Sequence, residues 1–94
     1  MAWRAGLFGL IFAIAATPAA AQVGFDRWGG DYRHFELPPD HTGKACQLVC
    51  ESEEGCRAWT YLRPGYVGTA ASCYLKDRIT RPVRRPCCIS GVVR

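Results

Sequence analysis

The chain has 94 residues, a formal charge of +4 and six cysteines. That length allows one small domain, which buries only about 60% of its unfolded surface and so has a marginal core. The charge is too mild for a nucleic-acid footprint, and the absence of internal repeats and heptads argues against solenoids and coiled coils.

The first residues read as an export signal. Arg4 supplies a positive charge, residues 5–16 form an apolar run, and Thr17-Pro18 breaks it. Ala19-Ala20-Ala21 then offers the small residues a signal peptidase reads. The run is shorter than the about 20 apolar residues that cross a bilayer, and no cysteine follows the cleavage point to carry a lipid. The expectation is a signal peptide over residues 1–21 and one domain over residues 22–94. The product would be secreted or periplasmic, with no stable membrane span. All six cysteines lie beyond the signal, and in an oxidising destination they read as a disulfide framework.

Gly24-Phe25-Asp26-Arg27-Trp28-Gly29-Gly30-Asp31 is rich in glycine, and its paired glycines flanked by aspartates predict a tight turn opening the domain. Residues 32–37 alternate as a strand, with Tyr32, His34 and Glu36 on one face and Arg33, Phe35 and Leu37 on the other. Pro38-Pro39 ends it, since neither can donate to a ladder. Asp40-His41-Thr42 offers capping side chains, and a helix is predicted over residues 42–54 with Cys46, Val49, Cys50 and Glu53 along one stripe. Gly55 would stop it in the left-handed conformation. The helix is short and its last turn is acidic, against its dipole, so it needs a covalent partner.

Residues 56–62 form the best strand, rich in aromatic and β-prone side chains. Residues 63–72, with Pro64, Gly65 and Gly68, read as a mobile surface loop. A strand follows at 73–76. Residues 78–86 carry four arginines and two prolines and read as an extended connector, and residues 87–93 as a closing strand interrupted by Gly91. One helix among short strands makes the class α+β, small and disulfide-stabilised.

Six cysteines allow fifteen pairings, and sequence alone does not choose among them. Geometry narrows the field. The turn at Gly55 brings Cys56 under the end of the helix, favouring a Cys50–Cys56 clasp, while Cys46 reaches the neighbouring strand at Cys73. Loop entropy assigns the longer bridge roughly 3.6 kcal/mol and the shorter roughly 2.4 kcal/mol. Together these rival the whole stability of a small domain. Cys87 and Cys88 are left to a vicinal bond, to another chain, or to exchange with the core pairs; the vicinal bond is favoured.

The pattern Cys46-x3-Cys50-x5-Cys56-Arg57-Ala58-Trp59-Thr60-Tyr61, followed by Cys73-Tyr74-Leu75-Lys76, resembles the PAN/apple domain family. The opening Phe25-Asp26-Arg27-Trp28-Gly29-Gly30-Asp31-Tyr32 is similar to the start of its short bacterial members, and the likeness covers nearly all of residues 22–94. The resemblance implies an antiparallel sheet with one helix packed across it, held by Cys46–Cys73 and Cys50–Cys56. It also implies a non-catalytic module that binds proteins or carbohydrates, although fold-level analogy does not name the ligand. The chain departs from apple domains proper, whose ends are tied by a third bridge: no cysteine lies between residues 22 and 45.

If Cys56 and Cys73 both face the helix, alternation puts Ala58, Thr60, Leu62 and Leu75 on the helix side. Arg57, Trp59, Tyr61, Tyr74 and Lys76 then share the opposite face, where aromatic plates among cations suit sugar rings and anionic groups. These five, with the 63–72 loop, are the expected ligand-binding residues. The competing reading packs Trp59 and Tyr61 beneath the amino-terminal segment as a second small core. Arg78, Arg81, Arg84 and Arg85 read either as a site for an anionic polymer or as a solvated connector.

Nothing in the sequence calls for a catalyst or a cofactor. His34 and His41 lack a metalloprotease context, and neither a nucleophile elbow nor a phosphate-cradling loop is present. Zinc fits poorly, because the cysteines lack a well-spaced second pair. The catalytic rival is thiol-disulfide exchange at Cys87-Cys88, beside Arg84 and Arg85, and a third class is a small secreted inhibitor. The expected protein is therefore an exported monomeric recognition module for carbohydrate or an extracytoplasmic protein.

Overall fold

The computed structural model describes residues 20–93. Nearly all of the leader expected over residues 1–21 lies outside them. Five strands and one helix follow in chain order: β1 Gln22–Arg27, β2 Asp31–Leu37, α1 Gly43–Ser52, β3 Ala58–Leu62, β4 Ala71–Lys76 and β5 Pro82–Val92. The strands form one antiparallel sheet in the order β1-β5-β3-β4-β2, and α1 packs on one face of it. The class is α+β, as its strand and helix signals imply.

The first strand departs from the expected opening turn. Its glycine content hides a strand that exists only because β5 returns to pair with it, from Gln22↔Ser90 to Arg27↔Pro82. Between Val23↔Ile89 and Phe25↔Arg84 the register shifts, so residues 85–88 oppose Gly24 alone, whose φ is 83°. Pro86 sits in this bulge, where no ladder donor is demanded of it. Residues 82–86, expected as connector, are therefore strand, and Gly91 does not interrupt β5. An added Cβ at Gly91 would stand 2.8 Å from the Trp59 indole, so glycine is what lets that ring lie on the strand.

The β1–β2 connection shapes the whole sheet. Three residues, 28–30, join strands at its opposite edges. A flat five-strand sheet would hold its outer strands about 19 Å apart, while the connection reaches at most about 14 Å. The sheet must curl, and Gly29 and Gly30, at φ 84° and 77°, make the reversal.

Helix α1 starts where the capping residues predict: Thr42 is extended and its hydroxyl accepts from the Lys44 amide at 3.3 Å. It ends earlier than expected, at the extended Glu53, and Gly55 takes no left-handed turn. Its acidic end is used rather than tolerated. The Glu53 carboxylate accepts from the Tyr32 hydroxyl at 2.7 Å and pairs with Arg33, fastening the helix terminus to β2. Cys46 is bonded to Cys73 on β4 and Cys50 to Cys56, with Cα separations of 5.6 and 5.2 Å. Cys87 and Cys88 are bonded to each other. Around the helix bridge the core gathers Leu37, Trp59, Tyr61, Ala71 and Leu75, flanked by Phe35, Val49 and Ile89.

Candidate functional site

The phase of β3 decides which side chains face out. Alternation counted from Cys56 assumes a strand beginning there, but pairing begins at Ala58↔Lys76. The residue between, Arg57, donates its amide to the Lys76 carbonyl at 2.8 Å and accepts from Val93 at 2.8 Å, outside the strand proper. The Cys50–Cys56 clasp therefore turns the chain by one residue before the ladder starts, and a one-residue slip transfers every side chain to the other face. Trp59 and Tyr61 lie opposite Leu75 and Cys73, on the helix side, and both are buried. They do not share a face with Tyr74 and Lys76, nor do they pack beneath the amino-terminal segment. The exposed Arg57 side chain is also not among the residues gathered on the open face.

On that open face the strands converge on a cavity of about 220 Å³. Strand β3 contributes Thr60 and Leu62, β4 contributes Tyr74 and Lys76, and the curled-over turn brings Asp26 through Gly29 with Asp31. The expected binding set thus splits: Tyr74 and Lys76 reach the cavity, while Trp59, Tyr61 and Arg57 do not. Thr60 and Leu62, assigned to the helix side by the slipped count, line it instead.

Lys76 is only 2% exposed. A cation so placed requires partners, and it has two: its ammonium donates to the Gly29 carbonyl at 3.3 Å and pairs with the Asp31 carboxylate. These contacts hold the β1–β2 turn down over the sheet. Arg27 supports the same turn from the other edge, donating to the Thr80 carbonyl and to Gln22 Oε1, while its amide donates to Asp26 Oδ1 at 2.7 Å. Two cations, Arg27 and Lys76, and two carboxylates, Asp26 and Asp31, thus line the cavity. Tyr74 is held by stacking on His34, with ring centroids 5.2 Å apart. Trp28 remains 59% exposed, and the Arg85 guanidinium lies 4.7 Å from its ring.

Thr60 is 1% exposed, and its hydroxyl, like Trp59 Nε1 and the Thr80 hydroxyl, is buried without a hydrogen-bond partner. Its neighbour across β5, Ser90, is buried and equally unpartnered. Sequence reasoning missed Thr60 because the phase slip hid it, and missed Trp28 because nothing local tells that Trp-Gly-Gly folds back over a sheet.

A second, larger cleft of about 510 Å³ shares Leu62 with the first and is lined by Tyr66, Val67, Arg85, Pro86 and Cys87. The arginine run is not a free connector. Arg84 lies over the Phe25 ring at 5.2 Å, Arg85 over Trp28, and Arg78 packs against Gly30. His41 pairs with Asp40 at 2.9 Å, away from the cavity, and holds that carboxyl below its ordinary range. Among the described residues no cluster of three or more His, Cys, Asp or Glu side chains is placed to hold a metal ion, and no helix is long and apolar enough to cross a membrane.

Comparison with known proteins gives one family match. A family model described as the PAN domain matches residues 25–76, a span that contains every cavity-lining residue and the four cysteines of the two helix bridges, and leaves β5 outside. No curated protein matches the chain.

Proposed function

This chain belongs to the PAN domain family, whose members are protein- and carbohydrate-binding modules, and from that premise we propose that it is an exported, non-catalytic recognition module. It acts as a monomer in the cell envelope or outside the cell, and it binds carbohydrate or an extracytoplasmic protein on the open face of the sheet. Tyr74 and Lys76 are its contacts from the expected set, with the 63–70 loop alongside. One observation carries the reading. The fold is complete on the helix face, yet the opposite face is shaped into a cavity with aromatic walls and a polar rim, which is how small-ligand sites are built. Disulfide density supports export.

The redox alternative is disfavoured by burial: Cys88 is fully buried and Cys87, which lines the second cleft, keeps only 8% exposure, while exchange requires a thiolate to reach one of the two sulfurs. A glycan array at low and high salt, with a parallel pull-down from envelope extracts, tests the reading. Retention of a ligand that Tyr74→Ala loses supports it. A protein that retains nothing in either format sinks it.

A further inference from the structure

The arginines that the recognition reading leaves unused share a surface with exposed apolar side chains. On the reading that the chain is exported, we propose that this surface docks it on the headgroup layer of an anionic phospholipid bilayer, lying on the membrane without crossing it.

Contacts join the patch into one surface. The Arg85 guanidinium lies 4.7 Å from the Trp28 ring, and Arg85 lines the second cleft with Tyr66, Val67 and Pro86. Arg63 reaches the same rim, donating to the Pro86 carbonyl at 3.0 Å, and Arg84 stands next along β5, over the Phe25 ring. Trp28, Tyr66 and Val67 are each more than half exposed. The last two sit at a loop tip closed across its base, where the Gly65 amide donates to the Gly68 carbonyl at 2.8 Å.

The charge of this surface is not neutralised from within. Arg63, Arg84 and Arg85 contact rings or a backbone carbonyl, and among the described residues none of the three pairs with a carboxylate. No acidic residue follows Asp77 in the chain, so the exposed Arg78, Arg81, Arg84 and Arg85 have no opposite charge in their own segment. The one carboxylate on β1, Asp26, lines the first cavity and not this cleft. Guanidinium groups meet phosphate oxygens through paired hydrogen bonds.

The apolar side chains select the kind of anion. A phosphate polymer in water would leave Trp28, Tyr66 and Val67 as wet as before. At a bilayer they enter the layer between headgroups and acyl chains, where Trp and Tyr rings place their polar ends in water and their bodies in lipid. Arginine keeps its head among the phosphates and lays its stem along apolar surface. Stacking of Arg85 on Trp28 sets cation and ring at one depth. Interfacial binding grows with apolar area and with attraction to anionic lipid together, and this surface offers both.

The test is co-sedimentation of the disulfide-intact protein, recovered after export, with vesicles of phosphatidylcholine alone or mixed equally with phosphatidylglycerol, at low and high salt. Inorganic polyphosphate serves as the soluble anion. The expected result is salt-weakened binding to the mixed vesicles and much weaker binding to phosphatidylcholine alone. Arg84→Gln with Arg85→Gln should weaken binding about twentyfold, roughly fivefold for each charge. Arg84→Lys with Arg85→Lys keeps both charges and should stay within a few-fold of the parent, which separates charge from folding. Tyr66→Ser with Val67→Ser should weaken vesicle binding about tenfold and leave polyphosphate binding and Tm unchanged. No sedimentation with the mixed vesicles overturns the proposal, as does equal binding to both vesicle types or unchanged binding in the glutamine pair. Unchanged vesicle binding in the serine pair, or tighter binding of polyphosphate than of vesicles, overturns it too, because the surface would then answer to charge alone. None of these outcomes alters glycan retention at the open face, so the two readings fail separately.

Discussion

Removing Asp31 should destabilise the fold more than removing the lysine it partners. In Asp31→Ala the Lys76 ammonium, 2% exposed, keeps only the Gly29 carbonyl. Breaking a fully buried ion pair by deleting one partner costs about 3–5 kcal/mol. Here the carboxylate end is 43% exposed, so solvent already screens the pair and the cost falls to about 2 kcal/mol. Lys76→Met deletes the buried charge, keeps the aliphatic volume, and leaves a carboxylate that water can reach; it should cost less than about 1 kcal/mol. The double variant should resemble Lys76→Met alone, because the charge stranded by the first change is gone. Urea unfolding followed by circular dichroism, with all disulfides intact, reads these differences. At about 4–8 °C per kcal/mol for a domain of this size, Asp31→Ala should lower Tm by roughly 8–16 °C. Equal losses from the two single variants, or losses that simply add in the double, would refute the claim that a buried cation clasps the turn.

Three further outcomes follow from the packing. Changing Cys46 and Cys73 together to serine should cost about 3.6 kcal/mol by loop entropy, against about 2.4 kcal/mol for Cys50 with Cys56, so the first pair should unfold at lower urea; the reverse order would overturn the crosslink argument. Gly91→Ala should destabilise by about 1–3 kcal/mol, since the new Cβ meets the Trp59 indole at 2.8 Å, and thermal melts of the variant measure it. Trp59→Ala should cost about 3–5 kcal/mol as a core deletion, whereas Tyr74→Ala should retain its Tm within a few degrees and lose ligand retention on the glycan array.

The crosslinked helix was legible because its signals are local. Thr42 caps it, Cys46 and Cys50 stand one turn apart on one stripe, and Cys56 follows directly under its end. Strand β2 was legible as a strand closed by Pro38, but its expected alternation breaks at a register shift between Asp31 and Arg33, so that Tyr32 and Arg33, assigned to opposite faces, both reach Glu53. The acidic last turn pointed to instability, but it could not show that Glu53 is fastened by Tyr32 and Arg33 from a distant strand.

From residue order come the disulfide-stabilised α+β class, the helix with its short Cys50–Cys56 clasp, and the family pattern, carried by spacings of a few residues, whereas the Cys46–Cys73 bridge spans 27 residues and needed the strand placed beside the helix. The cavity was decided by contacts between residues far apart in the chain. β1 is a strand only because β5 returns to pair with it, and the sheet curls only because its two edges are joined by three residues. The slip at Arg57 then turns Thr60 outward and Trp59 in. Alternation says which side chains travel together, but not which side of the sheet they take, since that depends on how the chain enters the ladder.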